Sequence, residues 1–158
     1  MAGYLDSRKL TNVKGRIKYI INKDKQENIV DYFNTADNEF WKMLAKENQE
    51  RHRQVKAGGK CCEARELIIG IPQNATVTAK QICNTFKNKY GVECSCAIHQ
   101  NNKEGIINKH CHLIFSERVK LDVPEIVAEK RAARTYYYDE KGNKCKKAEA
   151  VKTVKKGT

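Results

Sequence analysis

The chain has 158 residues, and its 31 Lys and Arg outnumber 19 Asp and Glu to give a net charge of +12. One domain with a real core is the default at this length. No apolar run approaches the roughly 20 residues that cross a bilayer, and the N-terminal MAGYLDSRKL lacks the apolar stretch of a secretory signal, so a cytoplasmic protein without membrane insertion is expected.

The first predicted element is a helix over residues 11–22, TNVKGRIKYIIN. Val13, Ile17, Ile20 and Ile21 fall at i, i+4, i+7 and i+8 and form one apolar stripe. Tyr19 lies off that stripe, among Gly15, Arg16, Asn22 and Lys23, on a polar and basic face where the glycine leaves room beside it. A second helix is predicted over residues 37–55, with Asp37 as its cap and Phe40, Trp41 and Leu44 starting its apolar face; Gly58 and Gly59 follow its end. RELIIGIP, residues 65–72, reads as a buried strand closed by Pro72. Thr78 and Gln81 have the spacing of a capping box. Ile82, Phe86 and Tyr90 follow at four-residue steps, and Gly91 suits a C-cap, so a third helix is expected here.

Residues 92–99 read as a strand, QNNKEGIIN (100–108) as a loop, and residues 109–115 as a second strand paired antiparallel with the first. Pro124 is expected to open a short helix. Residues 136–138, three tyrosines, are β-prone, DEKGN after them is a turn, and the lysine-rich chain from Lys141 onward is expected to be a frayed tail or the start of a further region. The fold expected is α+β, a central and mostly antiparallel sheet with helices packed on it.

The seven cysteines are odd in number, and Cys61 and Cys62 are adjacent, a pattern that suits reduced thiols buried as small hydrophobes. The positive charge favours a polyanionic partner, nucleic acid first among them.

Three of the four histidines fall within fourteen residues, at His99, His110 and His112. Side chains at i and i+2 of a strand share a face. His110 and His112 therefore point together while Cys111, Leu113 and Phe115 point the other way, and the preceding strand can bring His99 alongside. Three imidazoles with no fourth ligand describe an open metal site of the catalytic kind. Imidazole suits several divalent transition metals. A structural zinc site drawing on Cys94, Cys96 and Cys111 fits less well, because the CSC spacing is short and Cys111 faces away from its flanking histidines.

CAIHQNNKEGIINKHCHLIFSERV resembles the H…HxH segment of the MobA/MobL family of relaxases, within the HUH endonuclease group, through His99, Gly105, Asn108, His110, His112, Ser116 and Arg118. ARELIIGIP resembles the family's acidic strand ending in proline, and NVKGRIKYI its N-terminal helix with the nucleophilic tyrosine. The three segments keep the family's order and cover roughly residues 10–140. The resemblance implies a relaxase-like domain over residues 1–140 and a basic tail over 141–158. It implies metal-dependent nicking of one DNA strand at an origin of transfer through a 5′-phosphotyrosyl link, for conjugative mobilisation. Tyr19 would be the nucleophile. Glu66 would orient a ligand histidine or help deprotonate the tyrosine. His99, His110 and His112 would hold a divalent metal, Mn²⁺ or Mg²⁺, and Lys14, Arg16, Lys23 and Arg118 would meet DNA. Expected partners are single-stranded DNA at the origin, accessory relaxosome proteins and a conjugative coupling protein. The alternatives are a rolling-circle replication initiator, whose nucleophile would come from Tyr136, Tyr137 or Tyr138, and a non-enzymatic DNA-binding module with structural zinc.

Overall fold

The structure, a computed structural model, describes residues 3–25, 28–119, 121–123 and 134–156. It divides into two compact units, Met1–Leu121 and Asp122–Thr158. The first runs β1 (Leu5–Leu10), α1 (Val13–Ile20), β2 (Ile29–Asn34), α2 (Asn38–Gln54), β3 (Ala64–Gly70), α3 (Ala79–Tyr90), β4 (Cys94–Lys103) and β5 (Ile106–Phe115). Its five strands lie in the order β1-β3-β5-β4-β2, each antiparallel to its neighbours. This is the α+β architecture with an antiparallel sheet that the sequence leads one to expect.

The three helices form where their caps and stripes put them. In α1, Asn12 accepts from the Gly15 amide at 2.9 Å, and Val13, Ile17 and Ile20 turn into the core. In α2, Asp37 accepts from the Phe40 amide at 2.9 Å. In α3, the Thr78–Gln81 capping box is complete, and Gly91 ends the helix in the left-handed region at φ 69°. Gly15 does not leave open room, as the sequence suggested. A Cβ there would lie 2.6–2.9 Å from the Asn12 side chain, so the glycine makes space for the cap.

The sheet separates two cores. On one face α1 and α2 bury Val13, Ile17, Ile20, Trp41 and Leu44 against Ala64, Ala97 and Ile114. On the other, α3 packs Ala79 and Cys83 over Cys94, Cys96, Ile98, Cys111 and Leu113. All seven cysteines are free, and five of them are buried, as expected of small hydrophobes.

Three features depart from the sequence reading. Both edge strands, β1 and β2, were not anticipated; in β1 only Leu10 is buried, so the strand lacks the alternation that marks a core strand. Residues 100–108 are not a loop. β4 and β5 stay paired as far as Lys103 and Ile106, and the turn is only Glu104-Gly105, both at positive φ (53° and 79°). Positive φ at both central residues is the two-residue hairpin turn that matches strand twist. Lys141 onward is not simply frayed. In the second unit β6 (Arg134–Tyr138) pairs antiparallel with β7 (Lys152–Lys156), with a 3₁₀ turn at Lys147–Glu149. The expected turn after Tyr138 is present, with the Gly142 amide donating to the Asp139 carbonyl at 3.0 Å. The helix expected at Pro124 lies outside the described residues.

An eight-residue helix is marginal by itself, and Glu63 ties α1 down. Its carboxylate accepts from the Val13 amide at 2.8 Å and from the Gln49 amide at 3.0 Å, joining the start of α1 to α2. A carboxylate is also favoured at the positive end of a helix. Glu63→Ala should lower stability by about 1–3 kcal/mol, because two partly buried donors lose their acceptor. Urea unfolding measures this, and an unchanged midpoint would mean that apolar packing alone seats α1.

Candidate metal centre

Strand register builds the site. His99 on β4 stands directly opposite His110 on β5, and His112 lies two residues further along β5, opposite Ala97. Each histidine offers one ring nitrogen, and the three nitrogens lie within 4.8 Å of one another. Ring centroids are 4.7 Å apart for His99 and His112, 5.1 Å for His110 and His112, and 5.6 Å for His99 and His110. His99 and His112 are buried and His110 is half-buried. Among the described residues this is the group able to hold a metal ion, and no fourth side chain joins it.

Hydrogen bonds fix the tautomers of His99 and His112. His99 Nε2 lies 2.9 Å from the Ile20 carbonyl, which can only accept, so Nε2 carries the proton and Nδ1 keeps its lone pair. This bond also satisfies a carbonyl in the last turn of α1. His112 Nδ1 donates to Glu66 Oε1 at 2.7 Å, which leaves Nε2 free to bind. His110 Nδ1 is buried without a partner. An orphaned ring nitrogen is costly unless something binds it, so the donor set fits a divalent metal. Burial holds His99 and His110 below the ordinary histidine pKa; His112 and Arg16 press His99 the same way, and His112 and His99 press His110. Neutral imidazoles are what a metal requires.

Glu66, on β3, is fully buried. Besides His112 it receives the Arg16 guanidinium in a two-pronged contact, Nε to Oε2 at 3.0 Å and Nη2 to Oε1 at 2.9 Å. Burial pushes the Glu66 carboxyl up, but the bonds from His112 and Arg16 outweigh it and hold the group below the usual carboxylate range. Of the two roles open to Glu66 in the sequence, its hydrogen bonds match the orientation of a ligand histidine.

Tyr19 sits on α1, 45% exposed, with the Arg16 guanidinium carbon 5.4 Å from its ring centroid. It immediately precedes Ile20, whose carbonyl holds His99. The other expected DNA contacts divide. Lys14 and Lys23 are exposed on and just after α1. Arg16 has the edge facing Glu66 committed, so a phosphate would meet only its other side. Arg118 is not brought to the histidines. It lines a separate cleft of about 350 Å³ with Arg51, His52, Cys61 and Glu117. Cys111 lies in the α3-side core, on the opposite face from its neighbours His110 and His112. Sequence reasoning missed the Ile20 carbonyl and the Arg16–Glu66 pair, because both join elements distant in the chain.

Compared with known proteins, the chain matches no family model, no curated protein and no solved structure.

Glu66→Gln should weaken Mn²⁺ binding about 10- to 100-fold, the usual effect of removing an outer partner of a ligand histidine. Calorimetric titration, with circular dichroism to verify folding, tests this. Unchanged affinity would mean that Glu66 serves Arg16 alone.

Proposed function

We propose that the chain is a metal-dependent DNA relaxase-like enzyme that nicks and rejoins one strand by tyrosine transesterification, acting in the cytoplasm during conjugative mobilisation. The observation that carries the reading is the three-histidine group, backed by Glu66, at the end of the helix that presents an exposed Tyr19. The net charge of +12 suits a DNA partner. The resemblance of the three segments to MobA/MobL relaxases supplies the reaction and the HUH-like fold, with residues 1–140 as the nicking domain.

In this reading the Tyr19 oxygen attacks a phosphodiester phosphorus. The bond to the 3′-oxygen breaks, and that oxygen leaves with the electron pair and takes up a proton, equal in number to the one the phenol loses. One phosphodiester replaces another, so the strand can later be resealed. A bound Mn²⁺ or Mg²⁺ would orient the phosphate and offset its growing negative charge. His99, His110 and His112 would hold the ion, Glu66 would fix the His112 ring, and Lys14 and Lys23 would contact flanking phosphates. Arg118, in its separate cleft, would meet DNA only beyond the reacting segment. Accessory relaxosome proteins and a coupling protein would complete the system.

The rival readings have less behind them. Tyr136, Tyr137 and Tyr138 lie on β6 rather than on a helix, in the second compact unit. Among the described residues, no cysteine joins the three histidines in a group that could hold a metal.

A labelled single-stranded oligonucleotide spanning the transfer origin, incubated with the protein and Mn²⁺, should yield a covalent adduct on denaturing gels. Tyr19→Phe should abolish it, and EDTA or His110→Ala/His112→Ala should reduce it at least 100-fold, the low end of what one catalytic group contributes. An adduct that survives Tyr19→Phe would move the nucleophile to another tyrosine. No adduct from the folded wild-type protein would overturn the reading. DNA binding should also fall steeply between low and physiological salt, and fluorescence anisotropy that stays flat with salt would exclude a phosphate-dominated interface.

A further inference from the structure

We propose that Tyr4 is a stacking platform for one base of the bound single strand, set beside the histidine group. The inference rests on the nicking-and-joining reading and adds a subsite to it.

The backbone places Tyr4 in the same cross-sheet row as two of the histidines. His99 pairs with His110, and His110 pairs with Gly70 on β3. The Gly70 amide donates to the Tyr4 carbonyl at 2.8 Å, so the row continues into Tyr4 just before β1. Gly70 shares a face with Glu66 by strand alternation, and Glu66 meets His112 on that face. A Cβ on Gly70 would lie 3.3 Å from the Tyr4 Cβ, so the Tyr4 side chain leaves the sheet on this same side.

Gly70 therefore leaves no side chain between Tyr4 and His110. Tyr4 is 58% exposed and belongs to neither core, so packing does not account for an aromatic ring here. It stands just before the edge strand β1, where a DNA strand can approach from solvent. Stacking on an aromatic ring accepts any base, because every base has a π face. Tyr4 would thus hold a nucleotide next to the one whose phosphate meets the histidines, while Tyr19 approaches from α1. The ring, rather than the hydroxyl, performs this role.

The test uses an oligothymidylate carrying a single 2-aminopurine, whose fluorescence is quenched on stacking, with full-length protein and Mn²⁺. Wild type should bind and quench the probe at one position. Tyr4→Ala should bind about tenfold more weakly and lose the quenching, in line with the loss of one stacked base. Tyr4→Phe should match wild type. Gly70→Val, which puts a side chain between Tyr4 and His110, should resemble Tyr4→Ala with Tyr4 intact. Mn²⁺ affinity and thermal midpoint should be unchanged in Tyr4→Ala. Wild-type affinity and quenching in Tyr4→Ala would overturn the proposal, and so would a Tyr4→Phe protein as impaired as Tyr4→Ala. Wild-type protein that binds Mn²⁺ but neither binds the probe nor forms the Tyr19 adduct would overturn the nicking reading itself, and the subsite with it.

Discussion

The buried carboxylate of Glu66 is the constraint on which the candidate site depends. A charged carboxylate removed from water is costly unless it is paired and hydrogen-bonded. Here Arg16 supplies a forked cationic contact and His112 a further donor. The three groups come from α1, β3 and β5, so satisfying one charge fixes the position of one helix against two strands. β3 is the strand that can do this, since it lies between the β1 edge and the histidine-bearing β5. The pairing works in two directions: it gives α1 a polar anchor, and it leaves the inner nitrogen of His112 with its lone pair exposed to a ligand.

The sheet then sorts chemistry by face. Along β5, His110, His112 and Ile114 look towards the α1 and α2 side, while Cys111 and Leu113 look towards α3. The histidine face grades from apolar beneath the helices, at Ala64, Ala97 and Ile114, to polar at the row of His99 and His110. The opposite face is apolar where α3 covers it, at Cys94, Cys96, Ile98, Cys111 and Leu113, and its thiols act as small hydrophobic volumes between strand and helix. Cys111 can therefore sit between two candidate metal ligands without joining them.

Much of this was legible in the sequence because it rests on local signals. The caps Asp37, Thr78 and Gly91 and the stripe Val13–Ile17–Ile20 each report a helix from a few adjacent residues, and the alternation in residues 109–115 reports both the strand and the shared face of His110 and His112. The missing parts depend on distant partners. β1 is an edge strand in which only Leu10 is buried, and its residues show pairing only once β3 is in place. The turn at Glu104-Gly105 was hidden by a run of asparagines, which resemble loop residues but here sit in paired strands. Asn101 and Asn108 face each other across the hairpin, a relation that only register reveals. The Arg16–Glu66 pair spans fifty positions, and no pattern in either segment announces it.

Two tethers bring α1 to the histidines, and they act on different parts of the helix. Arg16 reaches Glu66 from the side, while the Ile20 carbonyl accepts from His99 at the C-terminal end. Each joins α1 to a different histidine strand, through His112 on β5 and directly to β4. Residues three and four apart on a helix are neighbours, so Tyr19 stands beside Arg16 and next in sequence to Ile20. Its position is thereby set by bonds made by other residues, and its own phenol stays exposed to solvent. A side chain held in place by its surroundings, rather than by contacts of its reactive atom, is the arrangement a positioned functional group needs. Loss of either tether would leave α1 packed by Val13, Ile17 and Ile20 and held by Glu63 at its start, but with one fewer polar contact to the histidine strands. The apolar stripe therefore decides that the helix lies on the sheet, and the two polar contacts decide where Tyr19 stands on it.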